Sequence, residues 1–297
     1  LLFSRRLFIS IVLIYLIKFY IIFNSLLFII NHPLNKGRKI SAIWNFIKWQ
    51  ITSRLMSYPI VYTFTQNSKL IMWNGLRGAT GNLYCGLMEF EDMGFLLHFL
   101  RPDDLFVDIG ANVGVYTILA SGEIGAKSIS IEPIPSTYSS LTDNININEL
   151  NDKVTAYNIG LGKEDSELRF TSTLDTVNHV AIKDDLNTII VSVTSLDKLL
   201  GDKMPVLIKI DVEGFETEVI NGSKTTLDNI NLKAIIIELN NSGERYGYKD
   251  QDIHQELLRN GFIPFYYDPK KKKLSRLTSY GTHNTIYLRD LDFINSR

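Results

Sequence analysis

The sequence predicts an α/β protein: a doubly wound, mostly parallel sheet with a β-rich insertion, preceded by an N-terminal apolar helix. Three observations carry this. From Leu105 onward, short apolar runs alternate with helix-patterned segments, as strand–helix–strand units do. One of these runs passes without a break into the glycine-punctuated turn Asp108-Ile109-Gly110-Ala111-Asn112-Val113-Gly114, and a helix-forming segment comes directly after it. Residues 1–30 are far more apolar than the rest of the chain.

With 45% hydrophobic and 21% charged residues over 297 positions, the chain is too apolar for disorder, and its length allows one large domain with an appendage. Lys+Arg 31 against Asp+Glu 32 gives a formal net charge of -1. Such a molecule has no field to gather a phosphate backbone, so nucleic acid is not expected as a partner. The single cysteine, Cys85, cannot form an intrachain disulfide, and no Cys/His cluster has zinc-ligand spacing, which fits a reducing compartment.

In chain order, residues 7–17 and 19–23 are unbroken apolar runs separated by Lys18, and 26–30 continue them. As one helix, 7–30 would be roughly 35 Å long, enough for a hydrocarbon core of about 30 Å. Lys18 costs roughly 2.5–3.5 kcal/mol on insertion scales while each Leu, Ile, Phe or Val returns about 0.3–0.6, so the sum favours insertion. The segment is read as a membrane anchor; a helix packed on the protein or lying on a membrane surface is the alternative. A cleaved signal peptide fits worse, because the run is too long and no small-residue cleavage site comes after it. Arg5 and Arg6 precede the run and Lys36, Arg38 and Lys39 lie beyond it, which leans towards a cytoplasmic C-terminal side. The chain opens on Leu1 rather than Met, so further residues are expected upstream. Over 40–56, apolar and basic residues mix as in an interfacial helix, with Trp44, Phe46 and Trp49 as belt aromatics. Residues 1–57 are therefore set apart as anchor and interfacial helix, and 58–297 as the α/β domain.

Strands are expected over 61–64 and 70–73, then a helix over 90–100 stopped by Arg101-Pro102. The strand 105–107 leads through the glycine turn to a helix over 115–121, and a second strand, 128–131, ends in Glu132. Next come a helix over 136–148, strands over 154–159 and 206–210, a helix over 216–221 and a strand over 234–239. A helix over 252–260 and strands over 263–267 and 285–288 complete the pattern. The β-rich insertion, 168–193, is long enough for a hairpin beside the pocket, where long insertions carry substrate contacts.

Strand, glycine turn and helix together let a ligand approach the backbone. Gly110 can take a positive φ, Gly114 lets the helix pack closely on the sheet, and the helix-start N–H groups face whatever carboxylate or phosphate sits there. Glu132 lies about twenty residues beyond the turn, where an acid accepts both ribose hydroxyls. Asp108 could instead cap the loop and Glu132 stand solvated; their shared register argues for a ligand site. Asn112 occupies the middle glycine of the nicotinamide fingerprint Gly-x-Gly-x-x-Gly, where it would crowd a pyrophosphate but can hydrogen-bond a different ligand.

Lys209, Asp211 and Glu213 cluster at the end of a strand that reads as central and buried. Asp211 is the leading candidate for an acid in the pocket, with an orienting ion pair to Lys209 as the alternative. Glu213 can cap or bind substrate, and Gly214 permits the turn. His179, on the insertion, has the pKa suited to a general base near neutral pH, or is simply solvated. Glu238 can line the acceptor side. Asp211, Glu213 and Glu238 could hold Mg²⁺, but nothing else in the sequence points to an ion, and no metal site is assigned. The run Lys270 to Lys273 is a solvated turn or a contact for anionic headgroups.

The ordered motifs Val107-Asp108-Ile109-Gly110-Ala111-Asn112-Val113-Gly114, Ile131-Glu132-Pro133, Asn144 with Asn148, Thr194-Ser195-Leu196-Asp197 and Ile208-Lys209-Ile210-Asp211-Val212-Glu213-Gly214-Phe215-Glu216 resemble the FkbM-type methyltransferases. The resemblance covers about 90–288. Upstream, Gly86 with Phe90-Glu91 is similar to that family's Gly-x-Tyr-Glu motif, stretched and with Phe for Tyr. The resemblance implies a class I Rossmann-like methyltransferase fold that binds S-adenosylmethionine and moves its methyl to a hydroxyl. It implies that Asp108, Gly110, Asn112 and Gly114 frame the methionyl end, that Glu132 holds the ribose, and that the strand end at Asn158 borders the adenine. Glu91 is counted with the same cofactor site. Asp211, Lys209, Glu213 and His179 are the expected catalytic groups. The expectation is a membrane-tethered enzyme with its domain on the cytoplasmic side, acting on a glycan, glycolipid or similar hydroxylated acceptor. A non-catalytic membrane-tethered scaffold that keeps the Rossmann shell, and an NAD-dependent oxidoreductase, are the alternatives.

Overall fold

The computed structural model describes Leu16, residues 19–56 and residues 58–297. The chain falls into two compact units, 1–58 with 81–88, and 59–80 with 89–297. The sequence set a boundary at 57/58 and did not anticipate that 81–88 packs with the first unit.

In the first unit, helix α1 (19–31) is succeeded by a 3-10 turn at Pro33–Asn35 and by α2 (Lys39–Leu55). The buried Asn35 amide holds this corner, donating to the carbonyls of Ile29 (2.9 Å) and Tyr84 (3.1 Å). Ile29, Ala42, Phe46 and Cys85 form the small core. Two of the three aromatics expected at a membrane interface are in fact buried: Phe46 packs edge-on against the Tyr84 ring, Trp49 is inside, and only Trp44 is exposed. Of the apolar segment 7–30 expected as an anchor, residues 7–15, 17 and 18 lie outside the described residues, and 19–30 belong to α1. Among the described residues no helix is long and apolar enough to cross a membrane.

The second unit begins with the antiparallel pair β1 (Ile60–Thr63) and β2 (Lys69–Met72). After α3 (Arg77–Cys85), of which 81–85 belong to the first unit, and α4 (Phe90–Phe99) come β3 (Leu105–Ile109), α5 (Val115–Ile118) and β4 (Lys127–Ile131). The helix expected over 115–121 is α-helical only to Ile118. It continues as a π-helical stretch, Leu119–Ile124, that ends on Gly125 at φ 87. Next in the chain are α6 (Pro135–Ile147), β5 (Val154–Tyr157), β6 (Gly160–Leu161), β7 (Ser166–Thr171), β8 (Thr188–Thr194), α7 (Leu196–Leu200), β9 (Leu207–Ile210), α8 (Glu216–Asn221), α9 (Lys224–Asp228) and β10 (Ala234–Glu238). The chain closes with α10 (Asp250–Arg259), β11 (Ile263–Asp268), β12 (Lys273–Arg276), β13 (Asn284–Leu288) and α11 (Leu291–Asn295).

Eight strands form the main sheet in the order β12-β11-β13-β10-β9-β3-β4-β5. β10, β9, β3, β4 and β5 run parallel, and β13 enters antiparallel between β10 and β11. All four residues of β9 are buried, as a strand covered on both faces requires. One face carries Val107, Ile109, Ile208, Ile210, Ile235 and Ile237 against residues of α7 to α10. On the neighbouring strand β4, Ser128 and Ser130 make a polar seam under α5 and its π-helical extension: the Thr117 hydroxyl meets Ser130, and Ser121 meets Ser128, each at 2.7 Å. The insertion forms a second sheet, β6-β8-β7, with Phe170, Val180, Val191 and Val193 in its core. Lys273, expected in a solvated turn, begins the edge strand β12, where a lysine guards an open edge.

Candidate active site

The site forms at the carboxyl ends of β3, β4, β9 and β10, where a parallel sheet leaves its ligand crevice. After β3 the chain turns through Gly110 (φ 76), Asn112 (φ 53) and Gly114 (φ 87). The N–H groups of Gly110 and Ala111 both donate to the Ile131 carbonyl, at 3.0 and 2.9 Å, which draws the loop over the end of β4. A Cβ at Gly110 would lie 1.8 Å from the Asp211 carbonyl oxygen, so this turn and the end of β9 touch backbone to backbone. Asn112 accepts the Val113 N–H on its own Oδ1 (2.8 Å), which stabilises its left-handed conformation.

Asp108 takes the capping role that the sequence left open. Its Oδ2 accepts both the N–H (3.1 Å) and the hydroxyl (2.7 Å) of Thr117, fixing α5 to the sheet. Burial raises its pKa, against the opposing pull of Lys209 and Thr117. Glu132 lies at the loop itself. Oε2 accepts the Asn112 N–H (3.0 Å) and Oε1 the Ile134 N–H (2.9 Å), while burial pushes its pKa up to about 7. Asn158 donates from Nδ2 to the carbonyls of Glu132 (2.9 Å) and Pro133 (3.0 Å), so it steadies this strand end from β5's side. Asn144 and Asn148 turn out to be staples: Asn144 bridges Ile71 N and Val113 O, and Asn148 pairs both ways with the Lys69 backbone.

The second half of the site centres on Lys209. Its ammonium is buried, 2.7 Å from Asp211 Oδ2 and 4.8 Å from the centroid of the Tyr116 ring. Burial works against the charge, but Asp211, Glu89 and Asp108 outweigh it, so the Lys209 pKa is raised and the group stays cationic. Beyond Asp211, Glu213 sits at φ 57 and Gly214 at φ 105. Glu216 shapes that turn by accepting the N–H groups of Val212 (3.0 Å) and Gly214 (3.2 Å) on Oε1. Asp211, Glu213 and Glu238 each offer a carboxylate oxygen within 4.8 Å of the others. Burial and this mutual repulsion push Glu213 up to about 7 and Glu238 to about 9. Three oxygens in this arrangement are ligands of the kind a hard divalent cation takes, although Lys209 already neutralises Asp211.

Two expected site residues lie elsewhere. Glu91 hydrogen-bonds the side chain of Tyr266. Glu89, two residues earlier on the other side of the helix start, is the acid that faces the site: it accepts from the Tyr116 hydroxyl (2.6 Å) and from Asn284 Nδ2 (3.2 Å). Asn284 also reaches Asp92 at 3.1 Å, whose pKa burial and Glu89 push up to about 7. His179, expected as a base, has both ring nitrogens engaged within the insertion, Nδ1 with the Val177 carbonyl (2.8 Å) and Nε2 with Asp185 (3.3 Å). Its backbone is tied to Thr171 of β7: the Thr171 N–H donates to its carbonyl and its own N–H to the Thr171 hydroxyl, each at 3.0 Å. Glu89, Asp92, Tyr116 and Asn284 escaped sequence reasoning because they come from α4, α5 and β13, far apart in the chain and without a shared motif.

Residues 108–264, more than half of the chain, match the methyltransferase FkbM domain. The chain belongs to this family. Among curated relatives, Methyltransferase 1 of Beauveria bassiana is 32% identical over 148 residues, covering 41% of this chain and 59% of its own length. Hexuronic acid methyltransferase AglP of Haloferax volcanii is 26% identical over 154 residues, covering 51% of this chain and 62% of its own. The chain thus spans about three fifths of the length of these two relatives. Among solved structures, the FkbM methyltransferase of Methylobacillus flagellatus aligns with a TM-score of 0.47 at 17% identity, over 70% of this chain and 52% of that one.

Proposed function

We propose that this FkbM-family chain is an S-adenosylmethionine-dependent methyltransferase acting on a hydroxyl of a glycan, glycolipid or similar acceptor. The observation that carries the reading is the meeting of the Gly110–Gly114 loop and Glu132 with Lys209, Asp211, Glu213 and Glu238 at the carboxyl ends of adjacent strands. Glu132 fits a ribose: each of its oxygens accepts one backbone N–H and keeps a lone pair for a hydroxyl. Asn112 stands where a nicotinamide fingerprint needs glycine, which favours the adenosyl ligand over NAD.

S-adenosylmethionine would supply a methyl already carried on a sulfonium, so the protein's own work is positioning and proton removal. Asp211 is held in one orientation by Lys209, and it offers its free oxygen to an acceptor hydroxyl. Glu213 beside it takes up a proton near neutral pH. Glu238 keeps its proton there. A sugar acceptor is supported by the archaeal relative, which carries hexuronic acid in its name. Attachment to a membrane through residues 7–30, with this domain on the cytoplasmic side, belongs to the same proposal and rests on the apolar sequence. A full chain that stays in the high-speed supernatant without detergent would remove that part.

The test is calorimetric titration of the full chain with S-adenosylmethionine, S-adenosylhomocysteine and NAD, repeated with Glu132→Ala. Micromolar binding of both adenosyl ligands, lost in the variant, is the expected outcome. A folded protein that binds neither would overturn the enzyme reading, and NAD binding alone would replace it with an oxidoreductase.

A further inference from the structure

The end of α4, the β11–β12 turn and α11 border a half-open cavity of about 180 Å³ that shares no residue with the site described above. Four basic side chains line it, His98, Arg101, Lys272 and Arg297, and no acidic one does. Arg297 is matched, with both guanidinium ends on Asp104 at 2.6 and 3.2 Å. Arg101 and Lys272 have no ion pair among the described residues. Arg101 uses only Nη1 on the protein, bonding the carbonyls of His98, Phe99 and Leu100, which leaves Nε and Nη2 as donors. Lys272 stands exposed in the turn, at φ 49.

His98 adds a third kind of donor. Its Nδ1 is 2.6 Å from the Tyr267 hydroxyl, and burial raises the Tyr267 pKa, so the hydroxyl keeps its proton. In the tautomer in which that hydroxyl donates to Nδ1, the ring proton sits on Nε2. Burial, then the charges of Lys272 and Arg101, lower the His98 pKa. Phe95, Phe99 and Tyr267 supply the apolar wall.

We propose that this cavity binds a phosphate group, either free, on a small ester, or on a lipid headgroup. A planar guanidinium, a point-charge ammonium and an imidazole N–H converging from different elements suit a tetrahedral anion with three or more acceptor oxygens better than a carboxylate with two. The aromatic wall accommodates the carbon part of an ester. The basic run Lys270 to Lys273 acquires a specific meaning: Lys271 pairs with Asp268 and Lys272 is the member that reaches the cavity.

The experiment titrates the full chain with inorganic phosphate and with pyrophosphate by calorimetry, alongside flotation with phosphatidylcholine vesicles that carry phosphatidic acid. Binding on the order of 1 mM or tighter is expected. Lys272→Glu, in an exposed turn, should weaken it at least about tenfold with an unchanged melting temperature. As an independent readout, saturation with phosphate should raise the His98 pKa in an imidazole NMR titration. Vesicle binding that free phosphate competes away, and that Lys272→Glu abolishes, supports the headgroup form. No binding of phosphate, pyrophosphate or vesicles, or binding indifferent to Lys272→Glu with no movement of His98, overturns the proposal.

Discussion

Glu238 and Asn284 stand opposite each other across β10 and β13, and each holds a buried oxygen that no donor reaches, Oε2 of Glu238 and Oδ1 of Asn284. Register partners in an antiparallel pair share one face of the sheet. The Asn284 amide nitrogen is committed to Glu89 and Asp92, so its oxygen is fixed on the other side. Two buried acceptors on register partners lack a donor, and a proton on Glu238 adds one to that face. Burial, reinforced by Asp211, Glu213 and Glu216, holds that proton on to about pH 9.

The stability consequence has a definite sign. A carboxyl whose folded pKa is raised binds its proton more tightly folded than unfolded, so its contribution is full below about pH 4.5 and is lost as pH rises towards 9. Glu238→Gln keeps the neutral shape at every pH. The variant and the parent should melt alike near pH 4.5 and diverge upward, with the variant more stable by about 1 kcal/mol or more at pH 8.5, about 2–4 °C in Tm. Parallel melting curves across this range would show that Glu238 carries no extra proton.

Catalysis should show the same carboxylates from the other side. With Glu213 near 7, the acid limb of kcat/KM is expected to fall with an apparent pKa about 7 that belongs to the cluster as a whole. Glu213→Gln should shift or flatten that limb. A limb unchanged in the variant would take Glu213 out of the proton path.

The Lys209–Asp211 pair separates a pocket role from a structural one. Asp211→Asn strands a buried ammonium and should cost about 3–5 kcal/mol, together with most of the turnover. Adding Lys209→Met removes the stranded charge and should restore much of the stability, measured by chemical denaturation, but not the turnover. Turnover that returned with stability would make the pair a scaffold only.

For His179 the expectation is small. With both ring nitrogens bonded inside the insertion, His179→Gln should leave turnover within about a factor of a few, whereas losing a general base costs about a hundredfold or more. A loss of that size would return His179 to the reaction.

Much of this site could be read from the chain because its signals are local. Three apolar residues, a glycine turn and a helix start define the β3–α5 loop within a dozen positions, and Glu132 comes at the end of the next strand. The residues that stayed hidden depend on placement. Glu89 and Glu91 differ only in which side of the first turn of α4 they occupy, and no pattern in that stretch of sequence says which side faces the sheet. Asn284 gains its role only when β13 inserts beside β10, a pairing made across nearly fifty residues. Asp108 looked like a ligand residue because its position is right; the hydroxyl of Thr117, nine positions on, claims it. The short helices α7, α9 and α11 have five residues each, too few to show a period.

The Asp211 carbonyl fills the space where any residue other than glycine at position 110 would carry its side chain. The two loops therefore fit one another like the halves of a mould, and neither backbone can be recut without the other. If one loop holds the methyl donor and the other orders the acceptor, those two tasks pass together through descent as one inherited block. Diversification towards new acceptors is then left to the parts that lie outside the mould: the β7–β8 insertion and Tyr246, whose hydroxyl meets the Val180 carbonyl at 2.5 Å. Chimeras that exchange residues 166–194 between relatives are the place to look for altered acceptor range with cofactor binding intact.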